Sequence, residues 1–214
     1  MSHADKIPRY QAFRQLGLEL NSQLFRSLSR RTVMEGGRRL GVARGNNFVM
    51  DTEDEIAVVA DYCIHDLRHD GQNAIDRFLD SHRQGLSSEQ FDYLTSLSKA
   101  FFSLFVITDT EPGVGINVRD LLSGQDHLIF DVGFSNTADP EYVLASRIFT
   151  HESITMTTGS ALPVPPSFVA HLIVKATSTP NAKLSFKTTA EVIRELLANG
   201  ASNKVAYNDV SKNL

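Results

Sequence analysis

The sequence predicts an α+β fold in which helices flank an antiparallel β region. Apolar residues recur at spacings of three and four up to about residue 102, which is the period of amphipathic helices. Between residues 103 and 162 the period changes to two, and turn sequences separate short β-rich runs. Helical patterns return after residue 163. These changes predict three regions, 1–102, 103–162 and 163–214, that form one integrated domain.

Four helices are predicted in the first region. The first covers about 8–30, and the glycine-rich stretch EGGRRLGVARGNN that follows it predicts a loop. A second helix is expected over about 52–68 and a third over about 72–83. The fourth begins at Ser87, where S-S-E-Q matches a capping box.

The β-rich region predicts five short strands. E-P-G-V-G and L-L-S-G-Q-D predict turns between the first three strands, and H-E at 151–152 joins the last two. Strands that follow one another through tight turns predict an antiparallel meander or a small open barrel. After them, Pro166 predicts the first turn of a helix, and T-T-A-E at 188–191 predicts a capped helix that ends at Gly200.

Composition limits the class of protein. The chain is 42% hydrophobic and 21% charged, as soluble globular proteins are. No uncharged apolar stretch approaches the ~18 residues of a transmembrane helix, and the N-terminal sequence MSHADKIPRY lacks the apolar segment of a secretory signal. The single cysteine, Cys63, excludes an intramolecular disulfide and a four-cysteine zinc site. We therefore expect a cytoplasmic protein that does not contact a membrane.

The charge is distributed unevenly. The first 45 residues carry nine Lys/Arg and three acidic residues, a net charge of +6, which leaves −10 for the rest of a chain whose total is −4. A basic end on an acidic body indicates a contact with nucleic acid or a membrane, a self-association surface or a solvated helix face, and no nucleic-acid module signature is present. Leu18 and Phe25 lie off the apolar stripe of the first helix, so this helix needs a second partner surface, either the chain's own sheet or another subunit. We predict a homodimer formed through that helix.

Two histidines four residues apart, His65 and His69 in DYCIHDLRHD, form the first candidate site. On the predicted helix they lie one turn apart, with Asp61 one turn before His65. Such spacing can chelate zinc, but a zincin helix reads H-E-x-x-H, whereas this one reads H-D-L-R-H and lacks a third ligand at motif spacing. We therefore predict no metal and no cofactor, a polar or interfacial helix face at both histidines, and a buried Cys63.

The sequence VRDLLSG at 118–124 is the second candidate site. In the structural interpretation, Asp120 accepts backbone N–H bonds beside a turn. In the functional interpretation, Arg119, Asp120 and Arg147 form a polar ligand-binding cluster on the sheet. Arg119 is expected to pair with Asp120 or Asp131 across the hairpin.

Three runs between residues 61 and 165 resemble a known group of proteins. They are DYCIHDLRHDGQNAIDRFL, the run from FFSLFVITDTEPG to LASRI, and MTTGSALPVP, and they contain R-D-L-L-x-G, D-x-G-x-S and A-x-R. The chain resembles uncharacterised bacterial proteins, some of which carry a C-terminal cysteine-rich metal-binding motif called SEC-C. The resemblance implies a related fold and no activity. No cysteine follows Cys63, so the SEC-C motif and the partner docking assigned to it do not carry over.

Common catalytic signatures are missing from the sequence, which has no G-x-S-x-G, Walker loop or G-x-G-x-x-G. This favours a non-enzymatic binding or regulatory module with an unknown protein or small-molecule partner. The alternative is a small-molecule enzyme, such as a hydrolase, with its site between the helical and β regions and using His65, His69, Asp120 or Arg147. A deep polar pocket that contains several of these four residues would favour the enzyme.

Overall fold

A computed structural model of the chain describes residues 2–49, 52–177 and 186–201. Its helices are α1 (Ile7–Ser27), α2 (Arg30–Leu40), α3 (Glu53–His65), α4 (Ala74–His82), α5 (Ser88–Leu97), α6 (Pro166–Thr177) and α7 (Phe186–Ala198). Its strands are β1 (Ala43–Arg44), β2 (Asn47–Phe48), β3 (Phe101–Glu111), β4 (Gly115–Asp120), β5 (Asp126–Phe130), β6 (Val143–His151) and β7 (Ile154–Val164). The predicted α+β class is confirmed. None of these helices combines the length and the apolar character needed to cross a membrane.

The five long strands form a closed barrel in the order β3-β4-β5-β7-β6. β3, β4 and β5 are neighbours through antiparallel hairpins, and β6 and β7 form a second hairpin. The chain then departs from a simple meander, because β6 pairs with β3 and the parallel contact of β7 with β5 closes the barrel. Phe134 and Ala138, in the connection between β5 and β6, pack against the barrel interior.

Helices cover the outer face of the barrel in two groups. α1, α4 and α5 share an apolar core with outward side chains of β6 and β7, such as Phe149 and Met156. α2, α3, α6 and α7 pack together on Leu104 of β3, Ala145 of β6 and Leu162 of β7. α3 contacts the barrel at β7 and both helical groups, which places it where the two cores meet.

The first part of the glycine-rich stretch predicted as a loop, residues 35–40, is helical, so the loop prediction was wrong there. The side chain of Ser29 caps α2 by accepting from the Thr32 amide, and α2 continues to Leu40 before the short β1–β2 hairpin. Gly36 and Gly37 lie inside this helix, and both positions require glycine because a Cβ would overlap Cys63 at the first and Phe48 at the second. These glycines permit close packing between elements instead of marking a flexible connection.

α3 ends at His65, about one turn earlier than predicted. His69 lies beyond it in a tight turn, where its backbone pairs with that of Gln72 and where Asp70 and Gly71 have φ of 52° and 82°. The two histidines therefore do not share a helix face, which corrects the predicted arrangement. Burial of Cys63 is confirmed.

Several predicted helix ends agree with the structure. Ser87 and Gln90 form the expected capping box of α5, and α6 begins at Pro166. Gly200 follows α7 with a φ of 71°. The capping box predicted at Thr188 is wrong, because that residue lies inside α7. The predicted third region extends to residue 214, and its residues 202–214 lie outside the described part of the chain.

Candidate functional site

A buried ion-pair cluster connects α3 to the outer face of the barrel. Arg147 of β6 donates from Nε to Asp61 Oδ2 at 3.1 Å and from Nη2 to Asp66 Oδ2. Thr158 of β7 donates its hydroxyl to Asp61 Oδ1 at 2.5 Å. These side chains are all buried, and charged groups remain buried only when partners replace their water. We refer to Asp61, His65, Asp66, Arg147 and Thr158 as the buried cluster.

His65 is the member of the buried cluster with the fewest partners. Its Nε2 lies 3.7 Å from Asp61 Oδ1, which is beyond hydrogen-bond distance, and its side chain is only 3% exposed. The ring makes no hydrogen bond to any residue that the structure describes, although the His65 carbonyl accepts from Asn73.

Burial and the neighbouring polar groups together determine the protonation of the buried cluster. It lowers the pKa of His65 to about 3, so the ring is neutral at neutral pH. Burial also raises the pKa of Asp66 to about 6, against the attraction of Arg147. Burial opposes ionisation of Asp61 too, but Arg147 and the Thr158 hydroxyl outweigh it and lower the pKa of that carboxyl. At neutral pH two carboxylates therefore share one guanidinium.

A cavity of about 260 Å³ lies between α1, α3, α5 and the outer face of β6 and β7. Its floor includes Asp61, His65 and Thr158 of the buried cluster. Most of its wall is apolar and is formed by Leu18, Phe25, Ile64, Tyr93, Leu97 and Phe149. A largely apolar cavity with a few polar groups is typical of a small-molecule site.

A β-bulge shapes the barrel side of the cavity. Ser146 pairs with Ala161, whereas Ile148, two residues later in β6, pairs with Thr157, four residues earlier in β7. The extra residues of β7, 158–160, project towards α1 and α3. Gly159 has a φ of 126°, which residues with a side chain rarely adopt. The bulge therefore places Thr158, Gly159 and Ser160 in the cavity wall.

Helix α1 is attached to the bulge by polar side chains. Arg14 donates to the Thr157 carbonyl and Asn21 donates to the Thr158 carbonyl, both at 3.3 Å. The buried Oδ1 of Asn21 accepts no hydrogen bond from the described residues. Arg14 is half-exposed and pairs with no carboxylate in the described ranges, so this edge of the cavity is positively charged.

Of the five sequence candidates, only His65 and Arg147 come together. His69 lies in the turn after α3, and its buried Nε2 finds no partner among the described residues. Arg119 is on the exposed face of β4 and pairs with Asp126 at 2.9 Å, so its expected pairing with Asp120 or Asp131 was wrong.

Asp120 caps a turn, as its structural interpretation proposed. Its Oδ1 accepts from the Ser103 hydroxyl at 2.5 Å and from the Leu122 amide at 2.9 Å, and its Oδ2 accepts from the Ser123 hydroxyl at 2.7 Å. Arg147 instead binds Asp61 of α3 and Asp66 directly after α3, so the structure does not bring Arg119, Asp120 and Arg147 into one cluster.

Sequence reasoning missed Asp66 and Thr158 as members of the site. One signal was present, because Arg147 occurs in the apolar run YVLASRIFT and alternates there with Leu144 and Ile148, which face the barrel interior. A strand arginine on a helix-covered face needs a carboxylate partner.

Across the part of the chain that the structure describes, no group of three His, Cys, Asp or Glu side chains is placed to hold a metal ion.

Comparison with known proteins gives a family without a known activity. No curated protein and no solved structure matches the chain. One family model, described as a family of unknown function, matches residues 4–185, which include the barrel, the buried cluster and every residue of the cavity wall. Since this match covers most of the sequence, the chain belongs to the family of unknown function DUF7986.

Proposed function

We propose that this protein is a non-enzymatic binding module that takes a small ligand into the cavity between α1, α3 and the barrel. The observation that carries the proposal is His65, a buried and neutral imidazole that faces the cavity without a hydrogen-bond partner in the described ranges. A ligand that reached the floor would satisfy this ring, and the rest of the buried cluster already holds Asp61 beside it.

The cavity indicates the size and character of the ligand. Its volume of about 260 Å³ is below the usual lower limit of roughly 300 Å³ for drug-sized ligands, so the ligand is small. The wall around Phe25, Ile64 and Phe149 favours an apolar body, while Asp61 and His65 favour one polar group at its inner end.

The enzyme alternative uses the same floor, because a neutral imidazole beside a carboxylate is an acid–base pair. Of the four residues considered for a catalytic pocket, however, only His65 lines the cavity. Arg147 is occupied by Asp61 and Asp66, and Asp120 caps its turn. Ligand binding needs fewer positioned groups than hydrolysis does, and it is therefore the function that this geometry favours.

Filling the cavity tests the proposal. 2-Phenylethanol and 2-phenylethylamine are added at millimolar concentration to the full chain, and amide NMR shifts are recorded. We expect at least one probe to change the amide chemical shifts of residues in the cavity wall. Ala60→Leu, which fills the cavity from α3, should abolish the shifts, and Ala12→Leu on the exposed side of α1 should preserve them. Shifts that survive Ala60→Leu, or no shifts with either probe, would overturn the proposal.

Three further proposals rest on the sequence and on the resemblance to the SEC-C-related group. They are a bacterial source, a cytoplasmic location and a homodimer formed through the N-terminal helix. Leu18 of that helix is 64% exposed, which supports a contact between copies, whereas Phe25 packs within its own chain.

A further inference from the structure

We infer that the ligand of the cavity is a small amine, bound as its ammonium ion against Asp61 and His65. This inference rests on the proposed binding function and specifies the chemical class that the cavity takes. Three observations carry it: the charge of the buried cluster, the spacing of its polar atoms and the apolar wall above them.

The buried cluster has more negative than positive charge, and its Asp61 lines the cavity. Arg147 contributes one positive charge, and it is shared by Asp61 and Asp66. Arg68 lies on the solvent side, where its field acts on Asp66 and where it approaches Asp76. In the part of the chain that is described, no second cation forms an ion pair with Asp61, because the His65 ring 3.7 Å away is neutral. Uncompensated buried charge is costly, and a ligand cation would relieve that cost.

The spacing of the polar atoms fits a nitrogen donor. His65 Nε2 and Asp61 Oδ1 are 3.7 Å apart, so they do not bond each other. A nitrogen placed about 2.9 Å from both would bond both, since that is the usual length of such a hydrogen bond. Asp61 Oδ1 already accepts from Thr158, but a carboxylate oxygen accepts more than one hydrogen bond. A neutral imidazole with its proton on Nδ1 accepts at Nε2, and an ammonium ion has three donors.

Other ligand classes match the floor less well. An alcohol can make the same two hydrogen bonds but adds no charge. A carboxylate would be repelled by Asp61, whose low pKa keeps it ionised. Arg14 could attract an anion, but it lies at the half-exposed edge and is hydrogen-bonded to Thr157. Water also screens a half-exposed charge more than a buried one. The expected order of affinity is therefore amine, alcohol, carboxylate.

Three probes with the same aromatic ring test this order on the unaltered chain. 2-Phenylethylamine, 2-phenylethanol and phenylacetate are titrated by calorimetry at pH 7.5. Charge-assisted hydrogen bonds exceed neutral ones by an amount that corresponds to about a tenfold change in Kd, so we expect the amine to bind about tenfold more tightly than the alcohol. Phenylacetate should give no detectable heat.

Asp61→Asn supplies the matched variant. It removes the charge but retains the shape, and it should bring the Kd of the amine to that of the alcohol. The probe order on the unaltered chain decides the inference even if Asp61→Asn does not fold. An alcohol that binds as tightly as the amine would overturn the amine assignment and leave the binding cavity in place. If none of the three probes binds, the proposed function fails as well.

Discussion

Arg147 Nε donates to Asp61 Oδ2 across 3.1 Å, and this bond joins barrel strand β6 to helix α3. The two residues are 86 positions apart in the chain, so the contact forms only when the helical layer closes on the barrel. Asp61 is thereby held at the floor of the cavity, next to His65. The same contact therefore contributes to stability and positions the candidate site.

Removing the guanidinium should strongly destabilise the fold. Arg147→Met leaves Asp61 and Asp66 buried without their cation, which typically costs about 3–5 kcal/mol. Urea unfolding measures the change. Arg119→Met is the matched control, because Arg119 pairs with Asp126 at the surface, where ion pairs contribute little. Similar destabilisation by both substitutions would contradict the importance of the buried cluster.

Asp120 should contribute to stability through its turn. Asp120→Ala removes the acceptor of the Ser103 hydroxyl and of the Leu122 amide, and hydrogen bonds to a buried carboxylate of this kind are worth about 2 kcal/mol. Chemical denaturation measures the loss, and Asp126→Ala at the exposed end of the neighbouring strand should leave the midpoint unchanged. An unchanged midpoint for Asp120→Ala would instead favour a role for this residue in ligand binding.

His65 and Asp66 should make opposite contributions to the pH dependence of stability. Burial lowers the pKa of His65 from 6.5 to about 3, so below pH 6.5 the unfolded chain takes up a proton that the folded chain refuses. Its contribution to stability is therefore lost as the pH falls from 6.5 towards 3. Burial raises the pKa of Asp66 from 3.8 to about 6, so the folded chain takes up that proton first. Its contribution therefore increases as the pH falls from 6 to 3.8.

Two neutral variants separate these contributions. As the pH is lowered from 7 to 4, His65→Gln should become more stable relative to the unaltered chain, and Asp66→Asn should become less stable. The free energy of unfolding is measured at each pH, and each difference is taken at the same pH so that other titrating groups cancel. If both differences change in the same direction, the assignment of charge within the buried cluster is wrong.

Self-association through α1 stays a prediction. Light scattering of the full chain at micromolar concentration should give twice the mass of one chain, because two-fold pairing is the commonest oligomer geometry. Leu18→Ser should shift the protein towards the monomer, and Val49→Ser, at another exposed apolar side chain, should not. A monomer at every concentration would refute the prediction.

Local sequence signals were sufficient for much of the fold. The capping box at Ser87, the helix start at Pro166 and the change of period near residue 102 each depend on a few neighbouring residues, and each matches the structure. Closure of the barrel was not predictable in this way, because it requires β6 to pair with β3 and β7 to meet β5 across intervening strands.

The site was harder to predict than the fold for a similar reason. His65 and Arg147 were identified by residue type, but their partners depend on how α3 packs on β6 and β7. Gly36 and Gly37 indicated a loop, although they serve close contacts within a helix that tertiary packing imposes. α3 ends early, at His65, and this separates His65 from His69. No periodic pattern in the sequence indicated that early end.

The most direct test of the central claim is a crystal structure of the full chain soaked with 2-phenylethylamine. We expect the ring to lie in the cavity near Phe149 and Ile64, with the nitrogen within about 3 Å of Asp61 Oδ1 and His65 Nε2. Density for the probe elsewhere on the molecule, or a cavity that contains only water at saturating probe, would contradict the claim that this cavity is the binding site.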